Sequence, residues 1–303
     1  MAEVSIIILS WNTKDILSEC LDAVKQYCDG TDYEVIVVDN GSTDGSQDMI
    51  LSRYPQVRLI QNKENSGFAK ANNLAMKTCD SSLMLLLNSD ALLTEGSLQS
   101  LVELAHHQSR AGIIGALLTN PDGSFQASHS PFPNLRQEFL ILSGLGRLVK
   151  GRWYPSRTAE TQIGAQMVDY VEGACLLVRR SALEEVGGLC EDYFMYAEEV
   201  DWCFRMKERG WQVWYQPEAR VAHYGGASSK NRKTAREGDL YFSRILFFKK
   251  HRGNTAAFFL KWMILGFTAI KYAMYKLIWV LSRGKIGRPV IAPASLLERF
   301  QGV

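Results

Sequence analysis

The sequence lacks the glycine-rich phosphate loops of three nucleotide-binding classes. No GxGxxG follows the first strand-like run, where Ser10-Trp11-Asn12-Thr13 stands instead, so a dinucleotide-dependent oxidoreductase is disfavoured. No GxxxxGK[ST] occurs in the chain, which disfavours a P-loop ATPase. A nucleotidyltransferase would carry a glycine-rich loop near its first strand, and this too is absent.

Cysteine pairs, repeats and low-complexity tracts are also missing. The six cysteines form no CxxC pair, and no biased tract interrupts the 303 residues. Apolar residues make up 47% and charged residues 22% of the chain, so we expect a folded globular protein with little disorder. Because a strand-like run begins at Val4, we predict no signal peptide, buried reduced thiols and a cytoplasmic location.

The net charge of +2 conceals an uneven distribution. Residues 1–226 contain 19 Lys and Arg against 29 Asp and Glu, whereas residues 227–303 contain 15 against 3. We therefore predict an acidic domain over 1–226 and a basic extension over 227–303. An anionic partner for the extension, either nucleic acid or lipid head groups, follows from its charge.

Buried-strand patterns alternate with helical patterns along the first ninety residues. The apolar, β-branched runs are Val4–Leu9, Glu34–Val38, Val57–Gln61 and Ser82–Leu87. The first helical pattern runs from Asn12-Thr13 to about Cys28. The second follows the turn at Asn40–Gly45 and runs to about Arg53, and the third covers Phe68–Lys77. This alternation predicts an α/β fold with βαβ units and a mainly parallel sheet flanked by helices.

Polar residues follow each of these strands. They are Trp11-Asn12, Asp39-Asn40, Asn62 and Asn88-Ser89-Asp90. Ligands of open parallel sheets bind beyond the carboxyl ends of the strands, so we expect these residues to converge on one crevice.

The pattern is less regular beyond residue 113. Strands are predicted over Ile113–Leu118, Met167–Val178 and Trp211–Tyr215, with Arg220–His223 leading into Gly225-Gly226, and helices over Val200–Arg209 and Thr234–His251. The proline-containing connection between the first two of these strands is long enough to be a functional loop.

Four places carry side chains suited to chemistry. Asp39 is either a helix cap or an acceptor for a nucleotide base or ribose. Asp90 either caps a helix near Thr94 or binds Mg²⁺ or Mn²⁺, whose remaining positions substrate phosphates fill. His223 is either a structural residue or a second ligand of that ion. The acidic residues of 198–201 lie among aromatics, so burial suits one of them to act as a general base.

Seven segments, in this order, resemble the family 2 glycosyltransferases of the GT-A fold, especially the bacterial rhamnosyltransferase-like branch. The segments are Ile8–Asn12, Val37–Asp44, Asn65–Asn73, Leu87–Ala91, Gly173–Arg180, Phe194–Arg205 and His223–Ser228. Two positions depart from the family pattern. Asn88 replaces the first Asp of a DxD-like motif, and Glu199 stands where the family usually has Asp.

The resemblance implies roles for particular residues. Asp90 binds Mg²⁺ or Mn²⁺ with His223, and Glu199 is the general base, with Glu198 and Asp201 as alternatives. The residues that hold the nucleotide are Ser10, Trp11, Asn12, Asp39, Gly41, Ser42, Asn65, Gly67, Phe68, Asn72, Asn88 and Ser89.

The resemblance further implies an inverting, metal-dependent glycosyltransferase. The donor is a nucleotide diphosphate sugar, with dTDP-rhamnose suggested by the branch. The acceptor is a hydroxyl of a glycan or of a polyprenyl-diphosphate-linked glycan in cell-surface polysaccharide synthesis. The departures at Asn88 and Glu199 leave open a catalytically idle nucleotide-sugar-binding or scaffold protein.

An apolar stretch over residues 256–281 dominates the C-terminal extension. Lys271 falls near the middle of 262–281, where insertion scales assign a penalty of about 2.5–3.5 kcal/mol. We therefore predict one or two helices lying in the interface at the inner face of the plasma membrane, with lysines reaching the head groups. The flanking basic residues are Arg244, Lys249, Lys250, Arg252, Arg283, Lys285 and Arg288.

The extension has alternatives to a membrane surface. Its helices could instead pack on the preceding domain or on another subunit of an oligomer. Nucleic acid is disfavoured because the basic residues are interleaved with long aliphatic runs.

Overall fold

The computed structural model describes residues 2–28, 30–150, 154–156, 164–226, 233–282 and 291–302. Ala227-Ser228 of the last family segment and the predicted lipid-facing residues Arg283, Lys285 and Arg288 lie outside the described residues. The chain forms two compact units. The first comprises Met1–Phe132, Ser156–Phe194 and Glu198–Ser228, and the second comprises Pro133–Pro155, Met195–Ala197 and Ser229–Val303. The boundary at residue 226 stays a prediction.

Strands and helices alternate along the first unit. The strands are β1 (Val4–Ser10), β2 (Tyr33–Asp39), β3 (Arg58–Gln61), β4 (Leu83–Asn88), β5 (Ala91–Leu93), β6 (Ala111–Thr119), β7 (His129–Ser130), β8 (Gln166–Met167), β9 (Tyr170–Val171), β10 (Cys175–Arg179) and β11 (Gln212–His223). The α-helices of the described residues, in both units, are α1 (Lys14–Tyr27), α2 (Ser46–Arg53), α3 (Phe68–Met76), α4 (Ser97–His107), α5 (Leu135–Leu142), α6 (Leu145–Lys150), α7 (Arg180–Val186), α8 (Glu198–Glu208), α9 (Lys233–His251), α10 (Asn254–Leu281) and α11 (Pro293–Arg299).

A nine-stranded mixed sheet forms the centre of the first unit, in the order β3-β2-β1-β4-β10-β6-β11-β5, with β8 on β11. The first four strands are parallel, β10 is antiparallel to both its neighbours, and β6 and β11 are parallel to each other. Strands β1 to β4, β6 and β11 therefore point the same way. The mixed, mainly parallel sheet is the predicted one, and β7 pairs with β9 separately.

Both faces of the sheet are covered, which explains the continuous apolar strands. In β1, Ile6 and Ile8 belong to one core cluster and Ile7 belongs to the other, as the alternation of side chains along a strand requires. Five of the six free cysteines are buried, and Cys190 is partly exposed.

Several element predictions need correction. The single run predicted over Met167–Val178 is divided among β8, β9 and β10, because turns at 168–169 and 172–174 interrupt it. The runs 211–215 and 220–223 belong to one strand, β11, whose register shifts between Gln216 and Arg220. The next helix, α4, begins at Ser97, and β5 lies between Asp90 and that helix, so Asp90 does not cap it.

The second unit is helical. In it, α10 packs against α9, α5 and α11. A buried ion pair joins α5 to α9, with Arg244 Nη1 3.0 Å from Glu138 Oε2. Burial raises the pKa of Glu138, although Arg244 opposes that shift. One helix of 28 residues, α10, occupies the stretch where one or two were predicted.

Candidate active site

The carboxyl ends of β1, β2, β4, β6 and β11 lie at one edge of the sheet, because these strands share a direction. Ser10 is in register with Asp39, and Leu9 is in register with Asn88. The predicted polar residues are thus brought to a single edge by the strand register.

The loops after β1 and β2 hold each other through Asn12. Its backbone N–H donates to Ser42 Oγ at 2.9 Å, and its Oδ1 accepts from the backbone N–H of Thr43 at 2.8 Å. Asn12 adopts a φ of 52°, an uncommon conformation that Asn tolerates better than most residues. Trp11 beside it is half-buried.

Asp39 ends β2 and is fully buried. Its Oδ1 accepts from the backbone N–H of Ser42 at 3.0 Å and from Gln47 Nε2 at 2.7 Å. Its Oδ2 is buried without a hydrogen-bond partner among the described residues. Burying a carboxylate oxygen without a hydrogen-bond donor costs free energy. This oxygen is therefore suited to accept a hydrogen bond from a ligand. Gln47, which fixes the carboxylate, was missed by the sequence reasoning.

An amide network extends this edge to the start of α3. Asn40 Nδ2 donates to Asn65 Oδ1 at 2.9 Å, and Asn65 Oδ1 also accepts from the backbone N–H of Gly67 at 3.0 Å. Phe68 N–H donates to the carbonyl of Phe194 at 2.9 Å, four residues before the acidic helix α8 begins at Glu198. The segment 65–68 is therefore tied to the approach to α8.

Two glycines permit close contacts in these loops. A Cβ on Gly41 would lie 2.9 Å from Cα of Glu64, and a Cβ on Gly67 would lie 2.6 Å from the carbonyl oxygen of Phe194. Both have φ near +80°, which favours glycine.

Buried hydroxyls join the ends of β1 and β4. Thr13 Oγ1 lies 2.9 Å from Ser10 Oγ and donates to Ser89 Oγ at 2.9 Å. The Thr13 side chain therefore does not cap α1, although Thr13 stands at the N-cap position of that helix. The backbone N–H of Asn88 donates to the carbonyl of Ala174 at 2.9 Å, which places the 173–174 turn beside this strand end.

Asp90 and His223 meet where β11 ends. Asp90 Oδ1 lies 3.3 Å from His223 Nε2, and the two side chains are 7% and 15% exposed. The backbone N–H of Tyr224 donates to the carbonyl of Asp90 at 3.0 Å, and His223 is in register with Ala91. The other ring nitrogen, Nδ1, lies 2.6 Å from Oε1 of Gln126, a residue that the sequence reasoning also missed.

The pair has the spacing of two ligands of one cation. Two adjacent ligands at about 2.1 Å from an octahedral cation are about 3 Å apart. No group of three or more His, Cys, Asp or Glu side chains suited to a metal occurs in the described parts of the chain. Two protein ligands nevertheless fit Mg²⁺ or Mn²⁺ sites in which phosphates of the substrate complete the coordination.

Glu198 and Glu199 begin α8. Glu199 lies against Gly173, since a Cβ on that glycine would be 3.6 to 3.9 Å from its side-chain carbons. Burial raises the pKa of Glu199 to about 7. Burial, followed by the neighbouring Glu199 and Glu172, also raises the pKa of Glu198 well above its usual value, and its Oε2 has no hydrogen-bond partner in the part of the chain described. Raised carboxylate pKa values of this kind cluster at functional sites.

Two predicted site residues have other partners. Asp201 is 1% exposed and forms an ion pair with Arg205 at 2.7 Å. Asn72 is buried and donates from Nδ2 to the carbonyl of Phe68, one turn earlier in its own helix. These contacts stabilise α8 and α3, so we retain neither residue in the site proposed below.

Curated relatives cover most of the chain. It is 30% identical over 255 residues, 78% of this chain and 81% of the relative, to the N-acetylglucosaminyl-diphospho-decaprenol L-rhamnosyltransferase of Mycobacterium tuberculosis. It is 27% identical over 229 residues, 73% of this chain and 83% of the relative, to rhamnosyltransferase WbbL of Escherichia coli K12.

Solved structures share the fold. A mannosyltransferase from Pyrobaculum calidifontis, in complex with GDP-Man and Mn²⁺, superposes with a TM-score of 0.59 at 19% identity, covering 98% of this chain and 79% of that one. GalNAc-T7, with UDP, GalNAc and Mn²⁺, gives a TM-score of 0.56 at 12% identity, covering 83% and 55%. The predicted GT-A fold is confirmed. Residues 5–187 match the model of glycosyl transferase family 2. The chain belongs to that family and is a glycosyltransferase.

Proposed function

We propose that this chain is an inverting, cation-dependent glycosyltransferase that transfers rhamnose from dTDP-rhamnose to a hydroxyl of a polyprenyl-diphosphate-linked glycan. The contact of Asp90 Oδ1 with His223 Nε2 at 3.3 Å carries the proposal, because it joins residues 133 positions apart at the edge where a donor diphosphate would lie. The nucleotide, the diphosphate and the general base are assigned below to residues around Asp90 and His223.

The nucleotide half of the donor belongs at the ends of β1 and β2. Asp39 Oδ2 accepts a hydrogen bond from the base or ribose, because it is the unused oxygen of a carboxylate that Gln47 and Ser42 hold in place. Gly41 and Gly67 keep the surrounding loops close to each other, and Asn12, Asn65 and Phe68 line the same edge.

The diphosphate half belongs beside Asp90 and His223. These residues would hold Mg²⁺ or Mn²⁺, and the cation, when bound, supplies Lewis-acid stabilisation of the charge that develops on the departing diphosphate. Asn88 takes the first position of the DxD-like motif with an uncharged amide, which leaves Asp90 as the main protein anion at the site.

Glu199 acts as the general base. Its side chain lies beside Gly173. The carbonyl of the next residue, Ala174, accepts a hydrogen bond from the backbone N–H of Asn88 at the end of β4, so Glu199 lies close to the sugar-phosphate end of the crevice. A pKa of about 7 lets the carboxylate take a proton from the acceptor hydroxyl near neutral pH. A single displacement at the anomeric carbon inverts its configuration.

The choice of sugar and acceptor rests on the relatives. The mycobacterial relative is an L-rhamnosyltransferase that acts on an N-acetylglucosaminyl-diphospho-decaprenol, and the relative from Escherichia coli is also a rhamnosyltransferase. An acceptor carried on a polyprenyl diphosphate resides at a membrane, which fits the exposed apolar surface of the second unit.

That surface lies on α10. Its buried side chains are confined to the first half, between Ala257 and Thr268, and none from Ala269 to Leu281 is buried. Ile270, Met274, Leu277 and Leu281 are between 56% and 74% exposed. By length and composition the helix is able to cross a membrane. However, the 13 residues from Ala269 onward span only about 20 Å, less than the hydrocarbon core of about 30 Å.

Shallow insertion of α10 at the inner face of the plasma membrane is therefore the proposed mode of attachment. Lys271 and Lys276 are exposed on this half of the helix and reach the head groups in that position.

A donor screen tests the proposed function. The purified chain is incubated with a panel of nucleotide sugars, a short polyprenyl-diphosphate-linked N-acetylglucosamine and Mn²⁺ or Mg²⁺, and the released nucleoside diphosphate is measured. We expect turnover with dTDP-rhamnose that chelation abolishes, and loss of turnover and of cation-dependent donor binding in Asp90→Ala and His223→Ala. Unchanged cation-dependent binding in both variants would remove the metal site.

A catalytically idle nucleotide-sugar-binding or scaffold protein is the second candidate, which the departures at Asn88 and Glu199 permit. It predicts donor binding in the same screen without turnover for any acceptor.

A further inference from the structure

Gln126 is held in one orientation by groups that only accept hydrogen bonds. Its Nε2 donates to the backbone carbonyl of His223 and to Oδ1 of Asn120, both at 3.1 Å. Asn120 is itself oriented, because its Nδ2 donates to the backbone carbonyl of Phe125 at 3.2 Å and to Ser124 Oγ at 2.8 Å. Exchanging the oxygen and nitrogen of either amide would set like groups against each other.

This orientation turns Gln126 Oε1 toward His223. An amide oxygen only accepts, so the ring nitrogen 2.6 Å away, Nδ1, must carry a proton. In a neutral imidazole the other nitrogen then has a free lone pair, and this nitrogen, Nε2, is the one that faces Asp90.

As a result, two hydrogen-bond acceptors, His223 Nε2 and Asp90 Oδ1, face each other at 3.3 Å, and both side chains are mostly buried. A neutral Nε2 lone pair and a carboxylate oxygen repel unless a cation or a proton lies between them. The Gln126 contact thus prepares the imidazole as a metal ligand before any ion arrives.

The position of Gln126 follows from the topology. It comes seven residues after β6 ends at Thr119, and β6 is parallel to β11 with Ala222 in register with Thr119. The intervening turn closes on itself, with Asn120 N–H bonded to the carbonyl of Ser124 and a bridge between Thr119 and Phe125. A rigid turn therefore carries Gln126 back to the end of the strand that ends in His223.

We propose that Gln126 is a positioning residue that fixes the Nδ1–H tautomer of His223 and so prepares Nε2 for the cation, an inference that rests on the cation site proposed above. Gln126 would act through His223, without contacting the substrate or the ion itself. Its contribution is expected in the affinity for the cation, where loss of such outer partners typically weakens binding about 10–100-fold.

The test compares the full-length chain with Gln126→Met, Gln126→Glu and Gln99→Met. Methionine keeps the length of the side chain without an acceptor, whereas glutamate keeps an oxygen for Nδ1–H. Gln99 provides the matched control, since it lies exposed on α4, where its amide donates to Glu103. Two properties are measured: the ¹⁵N shifts of the imidazole ring, assigned with His223→Ala, and the Kd for Mn²⁺ from electron paramagnetic resonance.

The ring shifts are recorded without metal at a pH of about 8.5, well above the usual pKa of an imidazole, about 6.5. We expect the wild type and Gln126→Glu to show a protonated Nδ1 and a bare Nε2. Gln126→Met should lose that preference and bind Mn²⁺ about 10–100-fold more weakly. Gln99→Met should match the wild type, and melting curves confirm that each variant is folded.

Two results would overturn the inference. If Gln126→Met keeps the Nδ1–H tautomer and the wild-type Mn²⁺ affinity, Gln126 has no positioning role although the cation site stands. If the wild type binds no Mn²⁺, with or without a nucleoside diphosphate, the cation site itself fails and this inference fails with it.

Discussion

Two neighbouring glutamates at the start of α8 have raised pKa values, but they differ in their surroundings. Glu199 is half-buried beside Gly173, whereas Glu198 is buried and has an oxygen without a partner among the described residues. A base must reach the acceptor hydroxyl, and a fully buried carboxyl does not. The two residues are therefore expected to respond differently to the same substitution.

Replacing Glu199 by Gln is expected to lower kcat by about 10²–10⁴-fold, because the base is removed while the shape of the side chain is kept. In the wild type, kcat/KM should fall about tenfold per unit as the pH decreases below about 7, where Glu199 becomes protonated, and level off above it. Rates measured from pH 5.5 to 8.5 with saturating Mn²⁺ check both statements. Glu208→Gln, an exposed residue on the same helix, is the control. A fully active Glu199→Gln enzyme would show that the base lies elsewhere.

Replacing Glu198 by Gln is expected to stabilise the protein at alkaline pH. The folded-state pKa of Glu198 is raised, so ionisation opposes folding, and stability is lost as the pH rises through that value. The neutral amide removes this effect. Melting temperatures should therefore be similar at about pH 4, where glutamates are largely protonated, and higher in the variant at about pH 8. Each kcal/mol gained corresponds to about 2–4 °C. An equal difference at both pH values would contradict the assignment.

At the scale of single residues, functional side chains could be predicted from the sequence only where they belong to a recognisable motif. Asp39 and His223 each end a strand, and Asp90 lies two residues after the end of β4, so their meeting at one edge followed from the topology. Gln47 and Gln126 orient those residues, but glutamine in a loop or on a helix carries no pattern of its own. Their roles depend on contacts across 8 and 97 positions of the chain, which only the folded structure shows.

At the scale of single elements, the segment 65–68 depends on the backbone of Gly67, with a φ of 85° and a ψ of 176°. This region is essentially restricted to glycine. Gly187 provides a close match, with a φ of 84° and a ψ of 170°, but a Cβ there would meet nothing within 4 Å. A Cβ on Gly67 would meet the Phe194 carbonyl at 2.6 Å. Substitutions at these two glycines therefore distinguish the effect of backbone strain from the effect of a close contact with Phe194.

Both Gly67→Ala and Gly187→Ala are therefore expected to lose about 1–3 kcal/mol of stability through backbone strain. Gly67→Ala should lose more, since the segment 65–68 must also move away from Phe194, and it alone should raise the KM for the donor. Denaturant unfolding and donor titration of the two variants provide the comparison. Equal losses of stability with an unchanged KM would show that the 65–68 segment does not shape the donor site.

The strands of the first half were predictable because each is buried on both faces and reads as a continuous apolar run. The second half was harder for a physical reason. The strands β8 and β9 have two residues each, too few for any periodicity, and β11 contains a register shift within an otherwise continuous strand. Pairing with distant partners, and not local pattern, determines these elements.

At the scale of the whole molecule, the charge distribution and the compact units describe the chain differently. The basic residues concentrate after residue 226, whereas the helical unit also takes in 133–155 and 195–197. Contacts between segments distant in sequence cannot be inferred from composition. The last of these segments, Met195–Ala197, leads directly into Glu198, and Tyr196 and Ala197 both adopt positive φ angles of 73° and 64°. Two residues in the uncommon positive-φ conformation therefore directly precede Glu198.

The exposed half of α10 gives the whole chain a measurable property. The full-length protein is expected to float with anionic vesicles at low salt and to float less at high salt, since basic and apolar residues both contribute. The triple variant Ile270→Ser, Met274→Ser and Leu277→Ser removes three exposed apolar side chains and should reduce partitioning by at least about 100-fold, given about 1.4 kcal/mol for each tenfold change. Leu51→Ser, which is 60% exposed on α2, is the matched control.

Failure of the wild-type chain to float would exclude membrane attachment. Its light-scattering mass would then be decisive, because a dimer that the triple variant dissociates would assign the same helix face to a second subunit. Flotation that the triple variant retains in full would place the lipid-binding surface outside α10. The proposed shallow insertion also predicts that a protease added outside sealed vesicles removes the whole of α10, whereas a helix that crosses the bilayer would leave a protected fragment.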